Sequence, residues 1–285
     1  MVTEVPSRLR RREIRDDDLV GVVDMLVRGF PARSRGYWEK GLGRMKAMPK
    51  PDGCPRYGFL LDDGQRPVGV SLMLFATDLD GHIRCNLSSW TVDPAFRMQA
   101  PLLIASALKQ RHVTFTNISP APHTWATIEA QGFEVYSEGK SLVFPSLSRS
   151  EEPARILADP AVWRDLPEAK LLDDHAGFGC SSLAIVSGGE LYPLVLAPAR
   201  ARGGRWPLPL MQIVYCRDMA DLSRFAGAIG RWMMLRGFVG LILDGEPSAG
   251  LRGLHRVRRA RRYVKGPHPP RVGDLSYTER VIFGP

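Results

Sequence analysis

The chain has 285 residues, 44% of them hydrophobic and 24% charged, which describes globular material long enough for one large domain or two smaller ones. Its net charge is +9, but residues 151–285 hold 19 Lys/Arg against 14 Asp/Glu and leave +4 for the first part, so neither part is a dedicated basic module. Cys54, Cys85, Cys180 and Cys216 form no CxxC pair, the first residues lack the apolar core of a signal peptide, and no apolar run approaches membrane-spanning length. These features argue against a zinc site, a disulfide framework and a membrane span, and a cytoplasmic protein is expected. A mildly basic surface also suits a ligand carrying several phosphates, and coenzymes are such ligands.

In chain order, a strand-like REI at 12–14 precedes Asp16, Asp17 and Asp18 in capping positions. Leu19, Val22, Val23 and Leu26 then fall at helical spacing, and SRGYWEKGLGRMK predicts a second helix that ends before the proline-marked MPKPDGCP. Residues 57–92 give three β runs separated by DDGQRP and DLDGH, both rich in Asp and Gly, which predicts an antiparallel meander. VGVSLMLFA at 68–76 reads as its buried member. The alternation of SSWTV breaks at Asp93-Pro94, and a helix is expected in LLIASALKQR. A strand (HVTFTNI), a helix (HTWATIEAQ), Gly132-Phe133 and two strands (FEVYSEG and KSLVF) follow.

This order of elements, with IRDDD at the front and Gly-Phe after the last helix, resembles the GNAT superfamily of acyl-CoA-dependent N-acyltransferases over about the first half of the chain. Val92, Pro94, Phe96 and Arg97 match the family's Val-x-Pro-x-Tyr/Phe-Arg segment. The resemblance implies that the fourth strand splays from the fifth, with pantetheine in the gap and the pyrophosphate held by backbone N–H groups at a helix N-terminus. It assigns acyl-CoA contacts to Trp90, Val92, Arg97, Met98, Gln99, Ala100, Leu102 and Asn117. No metal is implied.

The family's loop carries glycines, whereas Arg97-Met98-Gln99-Ala100-Pro101-Leu102 has none. Ala100 fits if its φ is negative, Pro101 suits a first helical turn but removes one phosphate donor, and Leu102 stands where Gly or Ala is usual. The glutamate that many members carry on the fourth strand aligns with Asn86, and the frequent tyrosine before Gly-Phe aligns with Ile128. The remaining catalytic candidates are Ser88, Ser89 and His123. Alternation places Asn86, Ser88 and Trp90 on one strand face and Leu87, Ser89 and Thr91 on the other. The serines either meet a substrate cavity or hydrogen-bond neighbouring strands, and His123 is either a proton carrier or a surface residue. Ser119 and Thr124 read as turn and cap residues.

The second half repeats the order: two β runs about an SGG turn in 180–198, a third ending in QIVY, a helix in 219–237, a buried strand FVGLILDG, and late strands in RRYVKG and YTERVIF. The helix stripe is Leu222, Phe225, Ala226, Ile229 and Met233. The chain therefore reads as α/β, with two GNAT-like halves, each a mixed, mostly antiparallel sheet flanked by helices. Their expected bounds are 1–147 and 169–285, joined by a polar, proline-marked linker at 148–168 with one helix inside. YCRDMADLSRF replaces the anion loop in the second half, and its aspartates would repel phosphate.

GLRGLHRVRRARRYVKG at 250–266, taken as a helix, turns Leu251, Leu254 and Val257 one way and Arg252, Arg256, Arg259 and Arg262 another. It is either a phosphate-gripping face or a solvated charged one, and with few interleaved aromatics, Tyr263 being the exception, it gives base stacking little support. Trp38, Trp125, Trp163, Trp206 and Trp232 read as packing residues, and Asp244 and Glu246 as an acid/base pair or as turn residues. Three readings of function follow. The first is an N-acyltransferase moving an acetyl or longer acyl group from acyl-CoA to an amine of a small molecule or peptide. The second is a GNAT-fold binding or scaffold protein without catalysis, and the third a nucleic-acid or anionic-surface binder working through residues 252–265.

Overall fold

The structure, a computed structural model, describes residues 9–105, 107–200, 208–246, 250–254 and 260–284. It divides into two compact units, Met1–Ile118 with Val264–Pro269, and Ser119–Tyr263 with Pro270–Pro285.

The first unit begins with β1 (Arg10–Glu13), α1 (Leu19–Gly29) and α2 (Arg35–Ala47), and continues through β2 (Gly58–Asp62), β3 (Pro67–Thr77) and β4 (Ile83–Val92) to α3 (Leu102–Ala105) and β5 (Thr114–Asn117). Arg12 fixes the entry: it binds Asp18 at 2.6 Å and Asp62 at 2.9 Å, and Asp18 also accepts the Arg15 N–H at 2.8 Å. Helix α1 buries Val22, Val23, Met25 and Leu26 and lies against β3 and β4. Strands β2 to β4 form the expected antiparallel meander, with Val68 to Ala76 buried, and β1 pairs antiparallel with β2. The Asp-Gly turns work through their carboxylates. Asp63 accepts the N–H groups of Gln65 and Arg66, and Asp78 those of Asp80 and His82, closing the chain on itself between strands.

The helix expected in LLIASALKQR is short. Leu102–Ala105 is α-helical, and Ala107–Lys109 is a separate 3-10 turn. Leu103, Ile104 and Ala107 reach the core, and three buried residues do not hold a longer amphipathic helix together.

The remaining elements are α4 (Trp125–Ala130), β6 (Glu134–Glu138), β7 (Lys140–Val143), β8 (Arg155–Leu157), α5 (Pro160–Trp163), α6 (Ala169–Gly177), β9 (Ser181–Ser187), β10 (Glu190–Arg200), β11 (Pro209–Cys216), α7 (Ala220–Arg224), α8 (Ala226–Met234), β12 (Gly240–Asp244), β13 (Gly253–Leu254), β14 (Arg261–Lys265) and α9 (Glu279–Ile282). The strand orders are β1-β2-β3-β4-β5-β14-β6 in one sheet and β13-β7-β12-β11-β10-β9-β8 in the other. Both sheets are mixed: β4 with β5 and β11 with β12 are parallel pairs in otherwise antiparallel surroundings. Each sheet thus includes one strand from the other half of the sequence, β14 in the first and β7 in the second.

Leu222, Phe225, Ala226, Ile229 and Met233 are buried as the spacing predicts, although the helix breaks at Phe225 into α7 and α8. Gly230 lets α8 approach the Pro145–Leu147 turn, because a Cβ there would overlap the Ser146 backbone. Trp38, Trp163 and Trp232 are buried packing residues, Trp125 is half-buried, and Trp206 lies outside the described residues.

Three expectations are corrected. The residues described at both ends of 250–266 are strands, not a helix: Gly253–Leu254 pairs with β7, where a Cβ on Gly253 would collide with the backbone of Leu142 and Val143, and Arg261–Lys265 is β14. Arg262 is buried there in an ion pair, so it joins no exposed arginine face, and Arg256 and Arg259 lie outside the described residues. YTERVIF is helical at Glu279–Ile282, where the Thr278 carbonyl accepts the N–H groups of Val281 and Ile282 and both side chains enter the core. Within 148–168, the helix α5 is present, but Arg155–Leu157 is a strand paired with β9.

His175 in α6 is fully buried. Its Nδ1–H donates to the Leu171 carbonyl at 2.7 Å and its Nε2 accepts the Tyr277 N–H at 3.3 Å, so the neutral ring has both nitrogens used. Burial pushes its pKa down from 6.5 to about 4. Because the folded value lies below the unfolded one, the unfolded chain binds the extra proton first. The contribution of His175 to stability is complete above pH 6.5 and is lost as the pH falls towards 4, at up to ~1.4 kcal/mol per pH unit. Chemical denaturation between pH 7 and 4.5 should show this slope, and His175→Gln should flatten it. An unchanged slope in the variant would contradict the assignment.

Candidate functional site

The parallel pairing of β4 and β5 is short. Arg84, Cys85 and Asn86 stand opposite Thr114, Phe115 and Thr116, and from Leu87 to Val92 β4 has no register partner on β5. Asn86 closes the last paired step: its buried Nδ2 lies 3.3 Å from both the carbonyl and the Oγ1 of Thr116. Beyond this staple one edge of β4 carries main-chain groups that β5 does not satisfy, the situation of an edge strand inside a sheet.

The other edge of β4 is irregular at the same point. Its pairing with β3 jumps from Leu72 opposite Ser88 to Val70 opposite Thr91, so Ser89 and Trp90 are skipped in the register and β4 bulges. Ser89 has φ of +49°, a left-handed value that a serine holds at a cost. The bulge overturns the expected alternation of faces: Ser88 and Ser89 come to the same side, with hydroxyl oxygens 2.9 Å apart. Gly29 at the end of α1 permits this segment to be covered, since a Cβ there would overlap the Thr91 side chain.

Behind β4 the chain turns sharply. The Asp93 N–H bonds to the Val68 carbonyl at 2.8 Å, and its carboxylate lies 2.8 Å from Arg66 and 3.9 Å from Arg28. Pro94–Gln99 is a 3-10 turn, and Ala100 has φ −50° and ψ −42°, so the absence of glycine costs nothing in backbone strain. The consequence is chemical. Phe96 donates to Asp93 and Ala100 to Arg97, so the turn uses amides on itself that a glycine-rich loop would leave for a phosphate. Cationic side chains supply the compensating charge. Arg97 is exposed and makes no ion pair among the described residues, beside the Arg28 and Arg66 pair on Asp93. Met98 is 89% exposed and Leu102 51%, so Leu102 projects outward rather than into the core.

Polar atoms without partners occur on each element that bounds the opening. Trp90 Nε1 and Gln99 Oε1 are buried with no hydrogen-bond partner, and the Asn117 amide at the end of β5 makes no hydrogen bond among the described residues. Buried orphans are uncommon and point to a ligand. The structure thus brings together Ser88, Ser89, Trp90, Val92, Arg97, Met98, Gln99, Ala100 and Leu102 on β4 and the turn behind it, with Asn117 across the opening on β5.

His123 is exposed in the Pro122–Thr124 turn and belongs to the second unit, whereas β4 and the turn behind it belong to the first. Thr124 bonds to the Ala121 carbonyl at 2.7 Å, and Ile128 is buried packing. Asp244 is no free base: it is buried against Arg262 at 2.5 Å, while Glu246 is exposed. Sequence reasoning missed the bulge, and the Ser88-Ser89 pair inside an apolar strand was the available signal.

No protein-family model matches the sequence, and no curated protein matches it. Solved structures do. The GCN5-related N-acetyltransferase from Anabaena variabilis aligns with a TM-score of 0.58 at 11% identity, covering 90% of this chain and 72% of that one. The one from Kribbella flavida aligns at 0.57 and 12% identity, covering 91% and 71%. The chain has the GCN5-related N-acetyltransferase (GNAT) fold. A glucosamine N-acetyltransferase region of a fungal multi-domain β-N-acetylglucosaminidase also matches, with a TM-score of 0.59 and 14% identity over 92% of this chain, which spans 38% of that protein. These alignments extend over both halves of the sequence, beyond the first half on which the motif resemblance rests. No helix among the described residues is long and apolar enough to cross a membrane.

The bulge makes a testable demand on position 89 within this GNAT-fold unit. Ser89→Gly should raise stability by about 1 kcal/mol, since glycine holds a positive φ without strain, and Ser89→Val should lower it by about 2 kcal/mol. Thermal unfolding of the two variants reads the difference, and equal melting temperatures would contradict a bulge held in the left-handed region.

Proposed function

We propose that the chain is an N-acyltransferase that transfers an acyl group, acetyl or longer, from acyl-CoA directly to an amine of a small molecule or peptide. The observation that carries this reading is the opening between β4 and β5 beyond Asn86, with the bulge at Ser89 beside it. The solved structures of similar fold named above are acetyltransferases, and the fold family generally uses acetyl-CoA.

In this reading Trp90, Val92 and Asn117 hold the pantetheine arm, and the unpaired main chain of β4 offers donors to it. The turn from Arg97 to Leu102, with Met98, Gln99 and Ala100, receives the phosphates, and Arg97 supplies charge that the self-bonded amides do not. Ser88, Ser89 and the bulged main chain polarise the thioester carbonyl. The C–N bond forms as the C–S bond breaks, and coenzyme A leaves as the thiol. The acceptor amine must lose a proton. Asn86 stands where a carboxylate is usual and its amide is engaged with Thr116, so the proton goes to water. Ribonucleic acid and membrane surfaces have no part in this reading.

We further propose that residues 1–147 and 169–285 are the two halves of a tandem arrangement, joined through 148–168, with coenzyme binding confined to the first. In the second half Asp218 and Asp221 occupy the anion-loop position. A second reading is favoured by the 3-10 turn at Pro94–Gln99: a GNAT-fold binding protein that has given up the coenzyme.

Thermal unfolding with acetyl-CoA, longer acyl-CoAs and free CoA separates the two. The transferase reading expects a saturating stabilisation, ~2.7 kcal/mol at a ligand concentration of 100 Kd, that vanishes in Arg97→Glu. It also expects Ser88→Ala with Ser89→Ala to slow release of free thiol with an amine acceptor by about 100-fold while leaving acyl-CoA affinity within threefold. No stabilisation by any member of the series favours the binding-protein reading.

A further inference from the structure

A second group of unpaired polar side chains lies in the Ser119–Tyr263 unit, around Gly139. The Gly139 N–H bonds to the Ala260 carbonyl, its own carbonyl accepts the Gly245 N–H, and Ser141 Oγ donates to the Gly245 carbonyl at 2.7 Å. These bonds gather the ends of β6, β7 and β12 and the start of β14 at one corner. Arg262 on β14 is 2% exposed. Its Nη2 donates to Asp244 Oδ1 at 2.5 Å, but its Nε and Nη1 are buried with no hydrogen-bond partner. On β6, the Tyr136 hydroxyl and Ser137 Oγ are also buried and unpartnered. Lys140, at the start of β7, stands opposite Asp244 in the strand register yet makes no ion pair among the described residues.

Arg262 and Lys140 both face Asp244, while Glu279 and Arg280 act on Lys140 in opposite directions and Asp274 acts on Tyr136. Burial first, and then the Arg262 charge, hold the Lys140 ammonium down to about 8. Burial pushes the Tyr136 phenol up to about 12, so it is a donor at neutral pH. A buried donor left unsatisfied is costly, and beside the buried Nε and Nη1 of Arg262 stands the Tyr136 hydroxyl, whose own proton has no acceptor among the described residues.

We propose that this corner is a binding site for a small oxyanion, a carboxylate or a phosphate, held by Arg262, Lys140 and the Tyr136 hydroxyl. The anion accepts the Tyr136 O–H and the Arg262 N–H groups that Asp244 leaves unbonded, with the Lys140 charge beside it. Lys140 is half-buried, which leaves the solvent side for entry. The site is independent of the acyl-CoA reading, because its residues belong to neither β4 nor the turn behind it.

The test titrates the full chain with inorganic phosphate and, separately, with acetate, against chloride at matched ionic strength, and follows the melting temperature. The same titrations are run on Lys140→Met, Tyr136→Phe and Arg97→Glu. In parallel, acetic anhydride modification of Lys140 is quantified by peptide mass spectrometry with and without each anion. The proposal expects at least one anion to stabilise saturably and to slow Lys140 modification at least fivefold. Lys140→Met should weaken that anion tenfold or more and Tyr136→Phe several-fold, and the anion's protection of Lys140 should persist in Arg97→Glu. Phosphate binding without acetate assigns the site to phosphates, and acetate binding assigns it to carboxylates. A response that follows ionic strength alone, that survives in Lys140→Met, or that disappears in Arg97→Glu overturns the proposal.

Discussion

Everything proposed for the first unit depends on where β4 stops pairing with β5. Parallel strands are held by evenly spaced main-chain bonds, and here Asn86 reinforces the final step by reaching across to Thr116. One residue further the ladder ends. The strand stays in the sheet because β3 still pairs with it on the other side, so its other edge remains ordered without a register partner on β5. The bulge at Ser89 adds a local distortion at the same place, and α1 covers it through the gap that Gly29 provides. An unsatisfied main chain held rigid is what a polar, extended ligand requires.

In the proposed transferase, the turn behind β4 serves with a different sequence the end that a glycine-bearing loop serves. A loop with glycines would present bare amides to phosphate, whereas Pro94–Gln99 winds into a 3-10 turn and spends them internally. Charge takes over from the main chain: Arg97 stands exposed, and Arg28 and Arg66 converge on Asp93 at the turn's entrance. An arginine binds phosphate with a longer and more mobile arm than an amide does, so weaker affinity with stronger salt dependence is the natural consequence.

Much of the local structure was legible in the sequence because its causes are local. The Asp-Gly turns announce themselves through carboxylates that fold back on the next residues, the apolar run 68–76 has only burial as an outcome, and the stripe from Leu222 to Met233 finds the core even where the helix breaks. The partnering of strands was not legible. Nothing in KSLVF says that β7 pairs with β12, or in RRYVK that β14 stands next to β5, since these choices are settled by residues a hundred positions away. Arg262 is the sharpest instance. It is one more basic residue in an arginine-rich run, and its burial against Asp244 shows only in the fold. The bulge escaped for a related reason: alternation was the rule applied to SSWTV, and the two serines that broke it read equally well as strand residues.

The measurement closest to the central claim is amide hydrogen exchange, resolved by peptide, with and without acetyl-CoA. The account predicts slower exchange within Leu87–Leu103 and at Asn117, where main-chain groups lack protein partners or border those that do, and little change in β9 to β11. Protection confined to other strands, or none with acetyl-CoA at saturating concentration, would contradict the assignment of the opening between β4 and β5 as the acyl-CoA site.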